Sequence, residues 1–248
     1  MSKLAPLAAL LLAVPALAQD LVVTRQKHSD AMKMPGHEVP ASDTTEVTWI
    51  GKDRMRSDEG NEVTIVRLDL KKLYQIDMVA KTYTAIDLPF DMAKYVPAEI
   101  APMLEQMKPK VTLTPTTETK QIKDWTATKY TLEISMGMGG GGKQEMWVAK
   151  DVGVDLASYR EMAAAMLAAN PMMGGMAEEM KKVDGFAVLT ERTMMGSKST
   201  EAVVSIEKKE APAGHYDLPA GLTEKPFDPM EGMGGGGGPR ARGGRGPR

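Results

Sequence analysis

The sequence predicts a mainly β protein with a helical lid. In this α+β architecture a strongly curved antiparallel sheet, or half-open β-barrel, wraps over helices. Three observations predict it. From Thr44 to Leu88 apolar and polar residues alternate, with turn residues roughly every eight to twelve positions. The same patterning returns after Lys110. Two Met-rich segments with helical spacing interrupt it.

The chain opens with Ser2 and Lys3 before the apolar run LAPLAALLLAVPALA, which closes on Ala16-Leu17-Ala18. A positive start, a short apolar core and small residues three apart describe a secretory signal peptide over residues 1–18, cut before Gln19. The run is too short to span a bilayer as a mature helix. The expected location is therefore the periplasm or the medium, where no nucleotide cofactor is supplied, and no cofactor is expected. The chain has no cysteine. Export thus brings no disulfide framework, and a lipid anchor built on cysteine is excluded. Residues 19–231 form one expected domain, large enough for its own core.

LVVTRQKH reads as the first strand. Pro35, Gly36 and Pro40 mark Met32 to Ser42 as a loop. TEVTWI alternates through Val47 and Trp49, and Gly51-Lys52-Asp53 turns into RMRSD. Glu59-Gly60-Asn61 is the next turn, followed by EVTIVRLDL and a reversal at Lys71-Lys72. LYQIDM then sets Tyr74, Ile76 and Met78 on one face, Gln75 and Asp77 on the other, before TYTAIDL. Later strands are KVTLTPTTETKQI, WTATKYTLEIS, KQEMWVAKD, FAVLTERTM and STEAVVSIEKKE, for about ten in all. In the second of these, Tyr130, Leu132 and Ile134 alternate with Thr131, Glu133 and Ser135.

The first helical segment, near 91–107, places Met92, Val96, Ile100, Met103 and Met107 at helical spacing. Pro97 suits a helix start, and Pro102 kinks or breaks the run. The second, near 156–182, aligns Leu156, Tyr159, Met162 and Met166, and its alanines favour helix. Asn170-Pro171 stops it, and Met172, Met176 and Met180 form a second short amphipathic turn after the break. These Met stripes require an apolar partner, so the helices are expected to cover the concave face of the sheet.

Residues 232–248 are Gly, Pro and Arg with almost nothing apolar, a composition that cannot offset its ordering entropy. Formal net charge is -2. Removing Lys3 with the leader leaves -3, and setting aside Arg240, Arg242, Arg245 and Arg248 leaves a body at -7. An acidic body excludes nucleic acid as a partner, because such affinity comes mainly from phosphate neutralisation. The Arg tail is expected to make weak, salt-sensitive contact with anionic membrane or cell-wall polymer.

Several motifs fail on inspection. Gly137 to Lys143 has the glycine spacing of a phosphate-binding loop, but Gln144 replaces the magnesium-holding hydroxyl and a strand follows where a helix is needed. His37-Glu38 begins a zinc-protease signature, but Ala41 stands at the second histidine and Pro40 breaks the helix. No nucleophile elbow occurs. Methionine is the compositional oddity, 21 residues in 248. Its readings are flexible core or lid packing, an adaptable apolar binding surface, or thioether ligation of Cu(I).

WIGKDRMRSDEGNEVTIVRLDLKKLYQIDMVAKTYTAIDLP resembles the repeated hairpin phrase of an uncharacterised bacterial periplasmic family of the DUF4412 type. TETKQIKDWTATKYTLEI, EMWVAKDVGVD and APAGHYDLPAGLTE are similar to the same pattern. In outline the family resembles the lipoprotein carriers LolA and LolB, an unclosed antiparallel barrel over a helical lid. The resemblance spans roughly Asp20 to Glu224. It implies an apolar cavity and brings no catalytic residues with it.

The function expected is non-enzymatic binding of an apolar or amphiphilic molecule, a lipid or acyl chain, by a monomer. The expected lining is Trp49, Ile65, Tyr74, Ile76, Met78, Tyr83, Met103, Met107, Tyr130, Met146, Met162 and Met166. The alternative is a periplasmic copper(I)-binding protein using Met172, Met173, Met176 and Met180. An exported hydrolase ranks last, because no nucleophile, base or metal set stands at a working spacing. For the tail, deleting residues 232–248 is expected to leave the thermal midpoint unchanged. The full chain should co-sediment with anionic liposomes more than the deleted one at low salt, and equally at high salt.

Overall fold

A computed structural model describes residues 19–34, 37–91, 94–95, 99, 102, 108–135, 141–153, 156–168, 173–194 and 196–228. The leader, the Gly/Arg tail and nearly all of the first helical segment lie outside these. Strands β1 (Asp20–Ser29), β4 (Ser42–Ile50), β5 (Arg54–Glu59), β6 (Glu62–Arg67), β7 (Lys72–Asp77) and β8 (Thr82–Asp87) fall where alternation predicts them. So do β9 (Lys110–Ile122), β10 (Trp125–Ser135), β11 (Gly141–Ala149), β12 (Phe186–Met194) and β13 (Ser197–Lys209). Two departures concern short pieces. The expected loop at 32–42 contains an antiparallel pair, β2 (Met32–Met34) and β3 (His37–Val39). Thr223–Lys225 adds a strand, β14, parallel to β8. Neither is long enough to show a period.

Twelve strands form one curved, unclosed sheet in the order β14-β8-β7-β6-β5-β4-β1-β13-β12-β11-β10-β9. From β1 through β8 the antiparallel ladders run without a register break. The other half carries register shifts at Thr24/Arg25, Thr128/Tyr130 and Trp147/Val148. The first and last shifts add one residue, Val204 in β13 and Val188 in β12, and the shift at Thr128/Tyr130 adds two to β9, which bends these strands and increases their twist. Tight hairpins at Lys71 and Lys81, both with φ 53°, join the regular strands.

The edge strand β9 is protected. Pro115 lacks an N–H, and the Leu113 N–H donates to the Glu179 carboxylate at 2.8 Å. Glu179 belongs to α2 (Gly174–Met180), which follows α1 (Leu156–Ala168). The segment near 156–182 thus holds two helices, on either side of the expected stop at Asn170-Pro171. The main core cluster joins Leu21, Val23, Ile50, Val66, Leu73, Ile86, Phe186 and Val188 with Met162 of α1. Tyr159 of α1 packs on Phe186 with ring centroids 4.7 Å apart. A second cluster sets Met176 and Met180 of α2 on Leu113, Leu132, Met146 and Val148. Gly185 precedes Phe186 with φ 147°, and a Cβ there would sit 2.6 Å from the Ala149 carbonyl.

Phe186 touches both sheet and helix and is fully buried. Phe186→Ala should cost about 3–5 kcal/mol in urea denaturation. Loss of the helical far-ultraviolet signal before the sheet signal is also expected, since α1 loses its principal contact.

Candidate functional site

Period-two alternation and unbroken register assign every side chain of β1 and β4–β8 to one of two faces. The helix-bearing face is graded into rows. The first row, Leu21, Ile50, Met55, Val66, Leu73 and Ile86, is apolar, buried and aligned across all six strands. The next row, beginning at Val23, continues as Thr48, Ser57, Thr64, Gln75 and Thr84. The third is charged, with Arg25, Glu46, Glu59, Glu62 and Asp77.

The charged row is ion-paired at its β1–β5 end. Arg25 donates to Thr48 Oγ1 at 3.2 Å and pairs with Glu201 at 3.2 Å and Glu46 at 3.6 Å. Its guanidinium also lies over the Phe186 ring, 5.3 Å from the centroid. Lys27 pairs with Glu59 at 2.6 Å and Glu46 at 3.3 Å, and Ser57 donates to Glu46 at 2.6 Å. Burial alone would raise the Glu46 carboxyl, but Lys27, the Ser57 hydroxyl and Arg25 outweigh it and hold it below its ordinary range. Burial lowers Lys27, and Glu46, Glu59 and Glu201 together push it above its ordinary value. Burial also raises the Tyr159 hydroxyl, so it stays neutral beside these charges. Such a set holds a polar end in place. It does not present a poised acid or base, because its carboxylates are engaged by cations.

The opposite face has a different cover, the C-terminal segment 211–222. His215 packs on Trp49 with ring centroids 4.6 Å apart. Tyr216 donates to Asp20 at 2.7 Å, which with burial drives its pKa far up. Arg56 donates to the His215 carbonyl at 3.1 Å, and Arg67 pairs with Asp217 at 3.0 Å. Leu218 and Leu222 then close over Val63, Ile65 and Ile76, with Tyr74 and Tyr83 at the margin.

The twelve expected lining residues are thereby distributed among separate places. Trp49, Ile65, Tyr74, Ile76 and Tyr83 lie under the C-terminal segment. Met78 is exposed in the β7–β8 turn. Tyr130 and Met146 meet α2, while Met162 and Met166 of α1 meet the main core. Met103 and Met107 lie outside the described residues. The pleat is the reason for the division, since neighbours in sequence point to opposite sides. Of the four alternative copper ligands, Met176 and Met180 pack in the second cluster, Met173 is partly buried, and Met172 lies outside the described residues. Sequence reasoning missed the charged row. Its signal was present: Arg25 and Lys27 share the parity of Leu21 and Val23, so they had to face the core side.

One open cleft lies past the strand ends, where Leu88 of the main core cluster meets Lys72 and Asp87 of the opposite face. It holds about 470 Å³ beside the β6–β7 turn. Leu70, Leu88 and Pro89 wall it, and Lys71, Lys72, Lys94, Asp87 and Asp91 rim it. Nearby, Phe90 stacks on Tyr95 at 5.3 Å, and Phe227 meets both rings edge-on.

Fold and site together define an open antiparallel half-barrel with one face under short helices and the other under its own C-terminal segment. Residues 31–222 match the family model described as Domain of unknown function (DUF4412), and the chain belongs to that family. No curated protein matches it. Among solved structures, the Mycobacterium tuberculosis lipoprotein LppX aligns with a TM-score of 0.29 at 10% identity, over 79% of this chain and 89% of that one. A putative outer membrane lipoprotein-sorting protein domain from Vibrio parahaemolyticus aligns with a TM-score of 0.32 at 8% identity, over 80% and 89%. Superpositions this loose carry no weight for function.

Glu46→Gln should destabilise the fold by roughly 1–3 kcal/mol at neutral pH, because Arg25, Lys27 and Ser57 lose a charged partner while Glu201 and Glu59 still pair with the two cations. The sign for pH follows from the lowered Glu46 pKa. Its contribution is present above the ordinary glutamate value of 4.5 and is lost as pH falls through the lower folded value. Urea midpoints measured from pH 7 downward should fall more steeply for wild type than for Glu46→Gln.

Proposed function

We propose that this protein is an exported, non-enzymatic carrier of an apolar or amphiphilic molecule, held on the helix-bearing face. The observation that carries the reading is the apolar row from Leu21 to Ile86. Five inter-strand steps make it about 24 Å long, the reach of a long acyl chain. It is continuous and bordered by hydroxyls and then by charges, as an amphiphile requires.

The cover over this face favours the reading. α1 has 13 residues, with no acidic side chain in its first turn and no basic one in its last. Its end turns do not offset its dipole, and helices this short are marginal without tertiary contacts. α2 has seven residues and no side-chain cap. Elements of this kind open at low cost and are suited to act as lids. Met162 and Met166 on α1 have the flexible side chains that repack around varied apolar shapes. The leader read over residues 1–18 places this activity outside the cytoplasm.

Native mass spectrometry of protein purified from periplasm is expected to show co-purifying lipid. Delipidated protein should bind a fluorescent fatty-acid analogue. Met55→Lys, which places a charge mid-row, should weaken that binding at least about tenfold, a loss of roughly 1.4 kcal/mol. Protein that carries no lipid and binds no analogue would overturn the proposal.

A further inference from the structure

We propose that the cleft beside the β6–β7 turn is the headgroup site for an anionic amphiphile whose tail follows the apolar row. This rests on the carrier reading above and adds the class of ligand. Leu88 connects the two parts, because it belongs to the buried core cluster and also walls the cleft. Beside it Leu70 is 51% exposed, an apolar surface at the point of entry.

The rim has the complementary charge. Three lysines, Lys71, Lys72 and Lys94, stand against Asp87 and Asp91, leaving one positive charge in excess. Lys72 and Lys94 share a single carboxylate, Asp87, at 2.5 and 3.4 Å. Asp87 therefore gathers two ammonium groups at one place and offsets only one of them. Lys71 makes no salt bridge among the described residues. Its backbone is fixed at the mouth: its N–H donates to the Leu68 carbonyl at 3.1 Å, and its carbonyl accepts from the Leu88 N–H at 2.9 Å. The Lys71 ammonium thus extends from a fixed turn next to Leu88, the residue shared by the cleft and the core cluster. Ammonium groups on flexible stems act as point charges for carboxylate or phosphate oxygens. Free fatty acids and lysophospholipid headgroups share that chemistry.

The test compares dansyl-undecanoic acid with its methyl ester, which keeps the tail and removes the charge. Wild type should bind the acid about tenfold more tightly at low salt, with the advantage shrinking as salt rises. Lys71→Gln/Lys94→Gln should lose that advantage and keep its affinity for the ester. Displacement of the acid by hexadecanoic acid or by hexadecyl phosphate identifies which oxyanion is preferred. Equal binding of acid and ester by wild type would overturn the headgroup site and leave the carrier reading standing. Binding of neither would overturn both. If the double variant does not fold, the comparison on wild type still decides. An acid preference unchanged in a folded double variant would place the headgroup elsewhere and overturn the proposal.

Discussion

An antiparallel sheet that is apolar on both faces has to be covered twice. This constraint governs the molecule. Strands β4–β8 place Met55, Val66, Leu73 and Ile86 on one side and Val63, Ile65 and Ile76 on the other. Antiparallel sheets commonly leave one side to water. Here neither side can be left, so the chain supplies a helical cover for one and its own C-terminal segment for the other. The C-terminal cover also ties the two ends of the domain together, because Tyr216 is hydrogen-bonded to Asp20 at the start of β1.

The two covers are fastened in different ways. The C-terminal segment is fixed by directional bonds: Arg56 to a carbonyl, Arg67 to Asp217, Tyr216 to Asp20, and Thr223 to the Lys81 carbonyl at 3.0 Å. The helical cover depends more on packing, chiefly Tyr159 and Met162 of α1 and Met176 and Met180 of α2, with one polar tie from each helix, Arg160 to Asp184 and Glu179 to the Leu113 N–H. Polar fastening penalises displacement because each freed group needs a new partner. Apolar packing by methionine permits it, because another apolar surface can take its place. The asymmetry makes the helix-bearing face the one that can exchange its cover for a ligand.

The charged row explains how such a face keeps its shape. Arg25 and Tyr159 of α1 both pack against Phe186. Glu46, Glu59 and Glu201 satisfy the cations of β1, so charge is held close to the core without an unpaired group. The charged row flanks the apolar row along the strands, and the lysines of the cleft lie beyond it on the other flank, beside the β6–β7 turn. The row thus has a polar border on both flanks.

Alternation along a strand is a local property, so the sequence by itself determined the main strands, their turns and the antiparallel class of the sheet. Parity within β1 also determined that Arg25 and Lys27 share a side with Leu21 and Val23. The family pattern in the hairpins was legible for the same reason, since it lies in contiguous stretches. Short elements such as β2, β3 and β14 were not legible, because three residues show no period. Which apolar side receives which cover was decided only by tertiary structure. Trp49 and Met162 are equally apolar as residues, yet one lies under the C-terminal segment and the other under no part of it. That choice depends on where residues 211–222 return, a contact across more than a hundred positions of chain. No pattern of spacing within a strand encodes it, because the partners are joined only by the folded sheet between them.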